Sequence, residues 1–346
     1  ALQGAITVAE KLLAEVGAPY YFKGTEILVG ASIGIAPFPA SGQDVETLMN
    51  HADIAMYRSK ESGRHGYQCF TQEMRLETTR QRAAEQALER ALHAGEFELF
   101  YQPRVATDGQ RIAALEALLR WRDNGTLKSP HSFVPLLERT GLIGEVGDWV
   151  VASVCGQIKA WREAGCDVPL VSINLSASQL RDVGLSRRLR RILDSYDIRP
   201  DTIEFEITET LLLGKDETVK RVLQELRELG CSIAIDDFGA GYCSFAYLRD
   251  YRVDVIKIDR GFISGITAGS TEALLVGGII RLARDLSLKV VIEGVERQEE
   301  VEVLLPCDPD EFQGYLFHRP MDAAAIRKLL CFAPDPPNSD VSQNWH

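Results

Sequence analysis

Residues 203–239 read IEFEITETLLLGKDETVKRVLQELRELGCSIAIDDFG. A short run rich in β-branched and aromatic residues, IEFEI (203–207), gives way to a stretch with apolar residues at helical spacing, ETVKRVLQELRELG (217–230). A second short apolar run, IAID (233–236), follows. Nearly continuous apolar strands alternating with helices predict a parallel sheet buried on both faces. Both runs end in carboxylates, Glu206 with Glu209 and Asp236 with Asp237.

The same alternation extends in both directions. Upstream lie FELFYQP (97–103), IAALEALLRW (112–121) and LVSINL (170–175); downstream lie VDVIKI (253–258), KVVIE (289–293) and DEFQGYL (310–316). Helical stretches such as 150–165 and 272–287 separate most of them. Eight strands interleaved with helices predict an α/β fold, a (β/α)8 TIM-like barrel. Only the short turn Thr107-Asp108-Gly109 divides the first two runs, so the first strand is expected to be antiparallel to the second and the barrel irregular. Ahead of the barrel, residues 1–70 read as a separate α+β unit. An amphipathic helical start precedes two strands that turn at Lys23-Gly24, and then a helix that stops at Gly63. Residues 71–94, rich in Ala, Glu, Arg and Gln, predict a linker helix with a charged face. The barrel is expected over 95–333, and the polar tail 334–346 is expected to be loose.

The 346 residues are 45% hydrophobic and 25% charged, the composition of a globular protein. No apolar run reaches the roughly 18 residues that span a bilayer, which excludes a membrane segment within this chain. A formal net charge of −12 argues against a nucleic-acid polymer as partner. Seven cysteines, an odd number without a CxxC pair, read as reduced thiols and place the protein in the cytoplasm.

The chemistry lies at the strand ends. Glu116, Asn174, Glu206, Asp236 with Asp237, Lys257 with Asp259, Glu293 and Gln313 each fall within or just after an apolar run. In a barrel of this kind they would converge at the C-terminal mouth of the strands. Any one of them could simply cap the next helix, and Lys257 could be a plain counter-ion. Together, that many carboxylates in one funnel require cations, and hard oxygen donors favour Mg²⁺ or Mn²⁺. Adjacent acids such as Asp236-Asp237 suit two ions about 3.5–4 Å apart. The pattern alone leaves the substrate open, since enolase-type carbon-acid sites use similar groups.

Glu116-Ala117-Leu118 within EALLRW resembles the signature of the EAL family of cyclic-di-GMP phosphodiesterases. So do YQP (101–103), NLSASQ (174–179), EITE (206–209), DDFGAGY (236–242), VIKIDRGFI (255–263), EGVE (293–296) and DEFQGYLFHRP (310–320). The resemblance implies metal-dependent hydrolysis of cyclic-di-GMP to linear pGpG in bacterial second-messenger signalling. Glu116, Asn174, Glu206 and Asp236 would then ligate one metal and Asp236, Asp237 and Glu293 would surround the other. Lys257 and Gln313 would hold the attacking water, and Gln102, Leu118, Arg120 and Asp259 would contact substrate. Glu209 and Glu296 would brace the loop after Asp237, which in the family couples catalysis to dimerisation. The resemblance also implies two Mg²⁺ or Mn²⁺ ions, inhibition by Ca²⁺ and a homodimer through the barrel. A catalytically inactive cyclic-di-GMP receptor is the alternative; such members lack Glu116 or a metal ligand, and both are present here. Ala240, Cys243 and Phe245 stand where the family usually has Thr, Ser and Leu. Residues 1–70, through ASIGIAPFP (31–39) and ADIAMYRSKESGRHGY (52–67), resemble the second half of a GGDEF domain without its signature.

Overall fold

The computed structural model describes residues 2–63, 65–212, 216–239 and 251–331. The chain folds as two units, 1–88 and 89–346. In the first, helix Leu2–Val16 precedes strands β1 (Tyr20–Phe22) and β2 (Thr25–Ile27), which form a hairpin around Lys23 and Gly24, both with positive φ. The sequence predicted two strands in this region. A third, β3 (Ser32–Ile35), is separate and pairs in parallel with β4 (Gly66–Cys69) across helix Val45–Glu61. Asp44 caps that helix through the Thr47 amide. The predicted linker helix runs from Gln72 to Ala94, so it spans the division between the units.

The second unit is the barrel. Its strands are β5 (Phe97–Ala106), β6 (Ile112–Asp123), β8 (Leu170–Asn174), β9 (Ile203–Thr208), β10 (Ser232–Phe238), β11 (Val255–Ile258), β12 (Lys289–Ile292) and β13 (Glu311–Phe312). The pairing order β5-β13-β12-β11-β10-β9-β8-β6 closes through β5–β6. β5 is antiparallel to β6, as the short turn required, and also to β13; the other pairs are parallel. A short strand β7 (Thr126–Lys128), absent from the sequence reading, extends the outer edge of β6. The predicted strand at 310–316 shrinks to Glu311–Phe312, because the chain turns away at Gly314, whose backbone lies against Val295.

Alternation sorts each strand into two faces. On β9, Ile203, Phe205 and Ile207 form one face, and Glu204 and Glu206 form the other; all five are buried. Helices such as 217–229, capped by Asp216 and ended by Gly230 in the left-handed region, follow the strands and supply apolar faces.

One expectation is corrected. Cys166 and Cys331 are joined as a disulfide, with Cα atoms 4.8 Å apart, so not all seven cysteines are reduced thiols. The turn after helix 143–163 meets the end of helix 323–331, a proximity between residues 165 positions apart that spacing cannot reveal. The cytoplasmic reading loses that part of its basis.

Candidate active site

All eight barrel strands, or the residue that follows them, deliver a polar side chain to one end. Glu116 lies opposite Gln102 on β5 and beside Ser172 on β8; Asn174 pairs with Glu206. Asn174 Nδ2 donates to Glu116 Oε1 at 3.0 Å, and Gln313 Nε2 donates to Glu116 Oε2 at 2.6 Å. Gln102 Nε2 donates to the His318 carbonyl at 3.0 Å, which fixes its amide beside that of Gln313. At the centre stands Lys257, fully buried. Its Nζ is 2.7 Å from Glu293 Oε1, 2.8 Å from Glu206 Oε2, 3.1 Å from Asp236 Oδ1 and 3.5 Å from Glu116 Oε2. Its role thus exceeds that of a counter-ion for Asp259.

Neighbouring residues on a strand face opposite ways, so Asp236 and Asp237 could not both look into a regular mouth. The register of β10 against β11 slips between Ile235 and Phe238, and Asp237 adopts φ +54°. This bulge re-aims the pair. As a result one oxygen each from Asp236, Asp237 and Glu293 lies within 4.8 Å of the others. A left-handed aspartate is strained by about 1–3 kcal/mol, and such strain concentrates at functional sites. Glu209 Oε2 accepts the Gly239 amide at 2.6 Å, holding the turn just past the bulge. Glu296 pairs with Arg260 Nη1 at 2.9 Å. The loop that Glu209 and Glu296 were expected to brace, with Ala240, Cys243 and Phe245, lies outside the described residues.

The electrostatics follow from crowding. Burial, and then the charge of Glu116, pushes Glu206 well above the usual carboxylate range. Burial likewise pushes Glu293 up to about 8, against the pull of Lys257. For Asp236 burial favours the neutral acid, yet the Lys257 ammonium and its hydrogen bonds outweigh it and hold the acid below its ordinary value. Burial raises Asp237, helped by Asp236 and Asp259. Burial alone would discharge Lys257, but the four carboxylates around it raise it well above an ordinary lysine.

The donor set fits hard divalent cations. Gln313 Oε1 is buried with no hydrogen-bond donor among the described residues. Among the described residues the barrel interior sets two cations, Arg104 and Lys257, against six carboxylates: Glu116, Glu204, Glu206, Asp236, Glu293 and Glu311. Acids thus outnumber cations in the mouth, and a bound cation would favour the ionised form of the acids that burial otherwise keeps protonated. All the donors are oxygens, the ligands of Mg²⁺ and Mn²⁺.

The positions expected to contact substrate are spread more widely. Leu118 and Arg120 are half-buried on β6, where the Arg120 guanidinium lies 5.7 Å from the Phe100 ring centre and donates to the Leu119 carbonyl. Asp259 caps the turn at Arg260–Phe262 through the Gly261 amide. Gln102, Glu116, Asp259, Glu293 and Gln313 all line one cavity of about 240 Å³. Two residues that the sequence reading passed over line it too, Arg260 and Tyr315. Tyr315 is half exposed and stacked under Arg319, and its place directly after Gln313-Gly314 was the signal available.

A closed barrel whose mouth is ringed by acids around one buried lysine defines a class of oxygen-ligated metal sites. The match is more specific than that. The EAL domain model matches residues 85–320, so this chain belongs to the EAL domain family; the model of the diguanylate cyclase GGDEF domain matches residues 1–66. The bifunctional diguanylate cyclase/cyclic di-GMP phosphodiesterase MucR of Pseudomonas aeruginosa is 38% identical over 323 residues, 93% of this chain and 47% of that protein. The cyclic di-GMP phosphodiesterase PdeR of Escherichia coli is 34% identical over 93% of this chain and 48% of its own length. The chain spans less than half the length of these relatives. Among solved structures, a "PaMucR Phosphodiesterase, c-di-GMP complex" is 36% identical with a TM-score of 0.67, covering 70% of this chain and 99% of that one. The EAL enzyme Bd1971 with cAMP and cyclic-di-GMP bound is 29% identical with a TM-score of 0.70, covering 84% of this chain and 77% of that one.

Proposed function

We propose that this chain hydrolyses cyclic-di-GMP to linear pGpG, acting in the bacterial cytoplasm as a metal-dependent phosphodiesterase. The observation that carries the reading is the ring of four carboxylates around Lys257 in the mouth of the barrel. Glu116, Asn174, Glu206 and Asp236 would hold one divalent ion, and Asp236, Asp237 and Glu293 a second. Bound there, Mg²⁺ or Mn²⁺ would polarise the phosphodiester and lower the pKa of water.

The protein's own groups supply the rest. Lys257 keeps the acids converged and offers positive charge to a phosphate oxygen. Gln313, locked by Glu116, orients the attacking water. Asp237, the exposed acid of the cluster, is the group assigned to take its proton. Water attacks phosphorus in line with the ribose 3′-oxygen. A P–O bond forms as the water gives up its proton, the P–O3′ bond breaks, and the 3′-oxygen takes a proton from solvent water and leaves as a hydroxyl. Gln102, Leu118, Arg120 and Asp259 would hold the nucleotide, and Glu209 and Glu296 would brace the loop beyond Asp237. We take 1–70 as the GGDEF-like fragment, 71–94 as the linker helix, 95–333 as the barrel and 334–346 as a tail, with dimerisation through the barrel.

The test is incubation of the purified chain with cyclic-di-GMP and Mg²⁺, with products separated by chromatography. Formation of pGpG that stops on adding EDTA and is inhibited by Ca²⁺ supports the reading. Binding without turnover would make the chain a receptor instead, and full turnover in excess EDTA would remove the metal role.

A further inference from the structure

Beneath the ring of acids lies a second polar layer. The side chain two positions along a strand faces the same interior one layer deeper. On β5 the residue below Gln102 is Arg104; on β9 Glu204 lies below Glu206; and Glu311 on β13 lies below Gln313. Arg104 is 2% exposed and Glu204 1%. Arg104 Nη1 donates to Glu204 Oε1 at 2.6 Å, and its Nε lies 2.8 Å from Glu311 Oε2. Ser232 Oγ donates to Glu204 Oε2 at 3.0 Å. Ala234, Val255 and Val291, from strands β10 to β12, form an apolar cluster of the core.

Stability does not call for a guanidinium here. Buried ion clusters of this kind are replaced by apolar residues at little loss, or with gain, in many proteins. What the cluster does is reach upward. Arg104 Nη1 is 3.6 Å from Glu206 Oε1, an oxygen with no hydrogen-bond donor, while Lys257 holds Glu206 Oε2. The Glu206 carboxylate is therefore clasped between two cations, one below and one above.

We propose that Arg104 is a positioning residue for the mouth: braced by Glu204 and Glu311, it draws one oxygen of Glu206 downward, so that the other stays turned to the site and ready to bind a divalent cation. This rests on the metal-binding reading above. A planar fork is needed, because it meets Glu204, Glu206 and Glu311 at once, whereas an ammonium is a single point of charge.

Two variants keep the net charge of the interior and remove the fork: Arg104→Lys, and the paired Arg104→Gln/Glu204→Gln. Mn²⁺ binding is read without substrate, from the electron paramagnetic resonance signal of free Mn²⁺, and kcat and KM for cyclic-di-GMP are measured beside it. Circular dichroism reports folding. The expected result is a folded protein whose Mn²⁺ dissociation constant rises about tenfold in the paired variant and by less in Arg104→Lys, with kcat at a fixed low metal concentration falling more than KM changes. A purely structural role would lower the melting temperature and leave Mn²⁺ affinity intact, and that outcome overturns the proposal. If the paired variant does not fold, Arg104→Lys decides alone: unchanged Mn²⁺ affinity overturns it and weakened affinity supports it. Wild-type protein that binds no Mn²⁺ would overturn the metal reading together with this proposal, whereas wild type and variants that bind equally would overturn this proposal only.

Discussion

Glu116 is held by two amides, from Asn174 and Gln313, and faces Lys257 across 3.5 Å. Replacing it with alanine removes an acid from the ring and frees both amides. Turnover of cyclic-di-GMP is expected to fall at least about a hundredfold, the usual scale for losing one preorganised electrostatic contact. Circular dichroism should be nearly unchanged, since the strand's backbone pairing does not depend on this side chain. Near-normal turnover would detach the signature from catalysis. Glu293 makes a second prediction. Its folded-state pKa of about 8 exceeds the roughly 4.3 of an unfolded glutamate, so between those values the folded chain binds more protons than the unfolded one. Stability from this group is fully present below the unfolded value and is lost as pH rises toward 8. With EDTA present, the melting temperature should therefore decline from pH 5 to pH 8. Glu293→Gln should flatten that decline, and Mg²⁺ should raise the melting point most at pH 8. A melting temperature that rises over this range in EDTA would contradict the electrostatics described here.

At the level of elements, β10 is the strand whose geometry the site depends on. Beyond its bulge, Gly239 has φ +99°, and a Cβ there would lie 2.3 Å from the Phe262 ring. Gly239→Ala combines backbone strain with a clash and should destabilise the protein by about 1–3 kcal/mol. It should also shift the amide that Glu209 accepts, so turnover should fall further than the melting temperature suggests. A melt and an assay on the same sample test this, and wild-type values in both would mean that the turn is not constrained. The strand ends were legible in sequence because the signal is local: an apolar run followed by an acid. The bulge was not, since nothing in IAIDDFG specifies a left-handed aspartate; it shows only in the register of β10 against β11. Arg104 was also within reach of a period-two reading of YQPRV. Its significance, however, comes from Glu204 and Glu311, which only barrel closure brings beside it.

Over the whole molecule, the division into two units predicts that removing residues 1–70 leaves a folded barrel that still hydrolyses cyclic-di-GMP. An unfolded fragment would show that the barrel needs what precedes it. The cysteines offer a separate check on the packing. Burial pushes the Cys155 and Cys231 thiols up to about 12, so neither should react with iodoacetamide at pH 8 in the native state. Cys69 and Cys307, partly exposed, should react, while Cys166 and Cys331 should need prior reduction. Peptide mass spectrometry of the labelled protein reads this directly, and native labelling of Cys155 or Cys231 would mean that the core opens readily.

The reversed direction of β5 has a consequence for wiring. In a barrel of uniform polarity the chain enters at the floor, away from the chemistry. Here Phe97, the first residue of β5, pairs with Trp121 near the far end of β6, and Trp121 Nε1 donates to Glu96. The polypeptide thus arrives at the rim of the mouth and then descends through Gln102 to Arg104. The β5 backbone therefore ties the rim of the mouth to both interior polar layers, through Gln102 in the upper one and Arg104 in the lower.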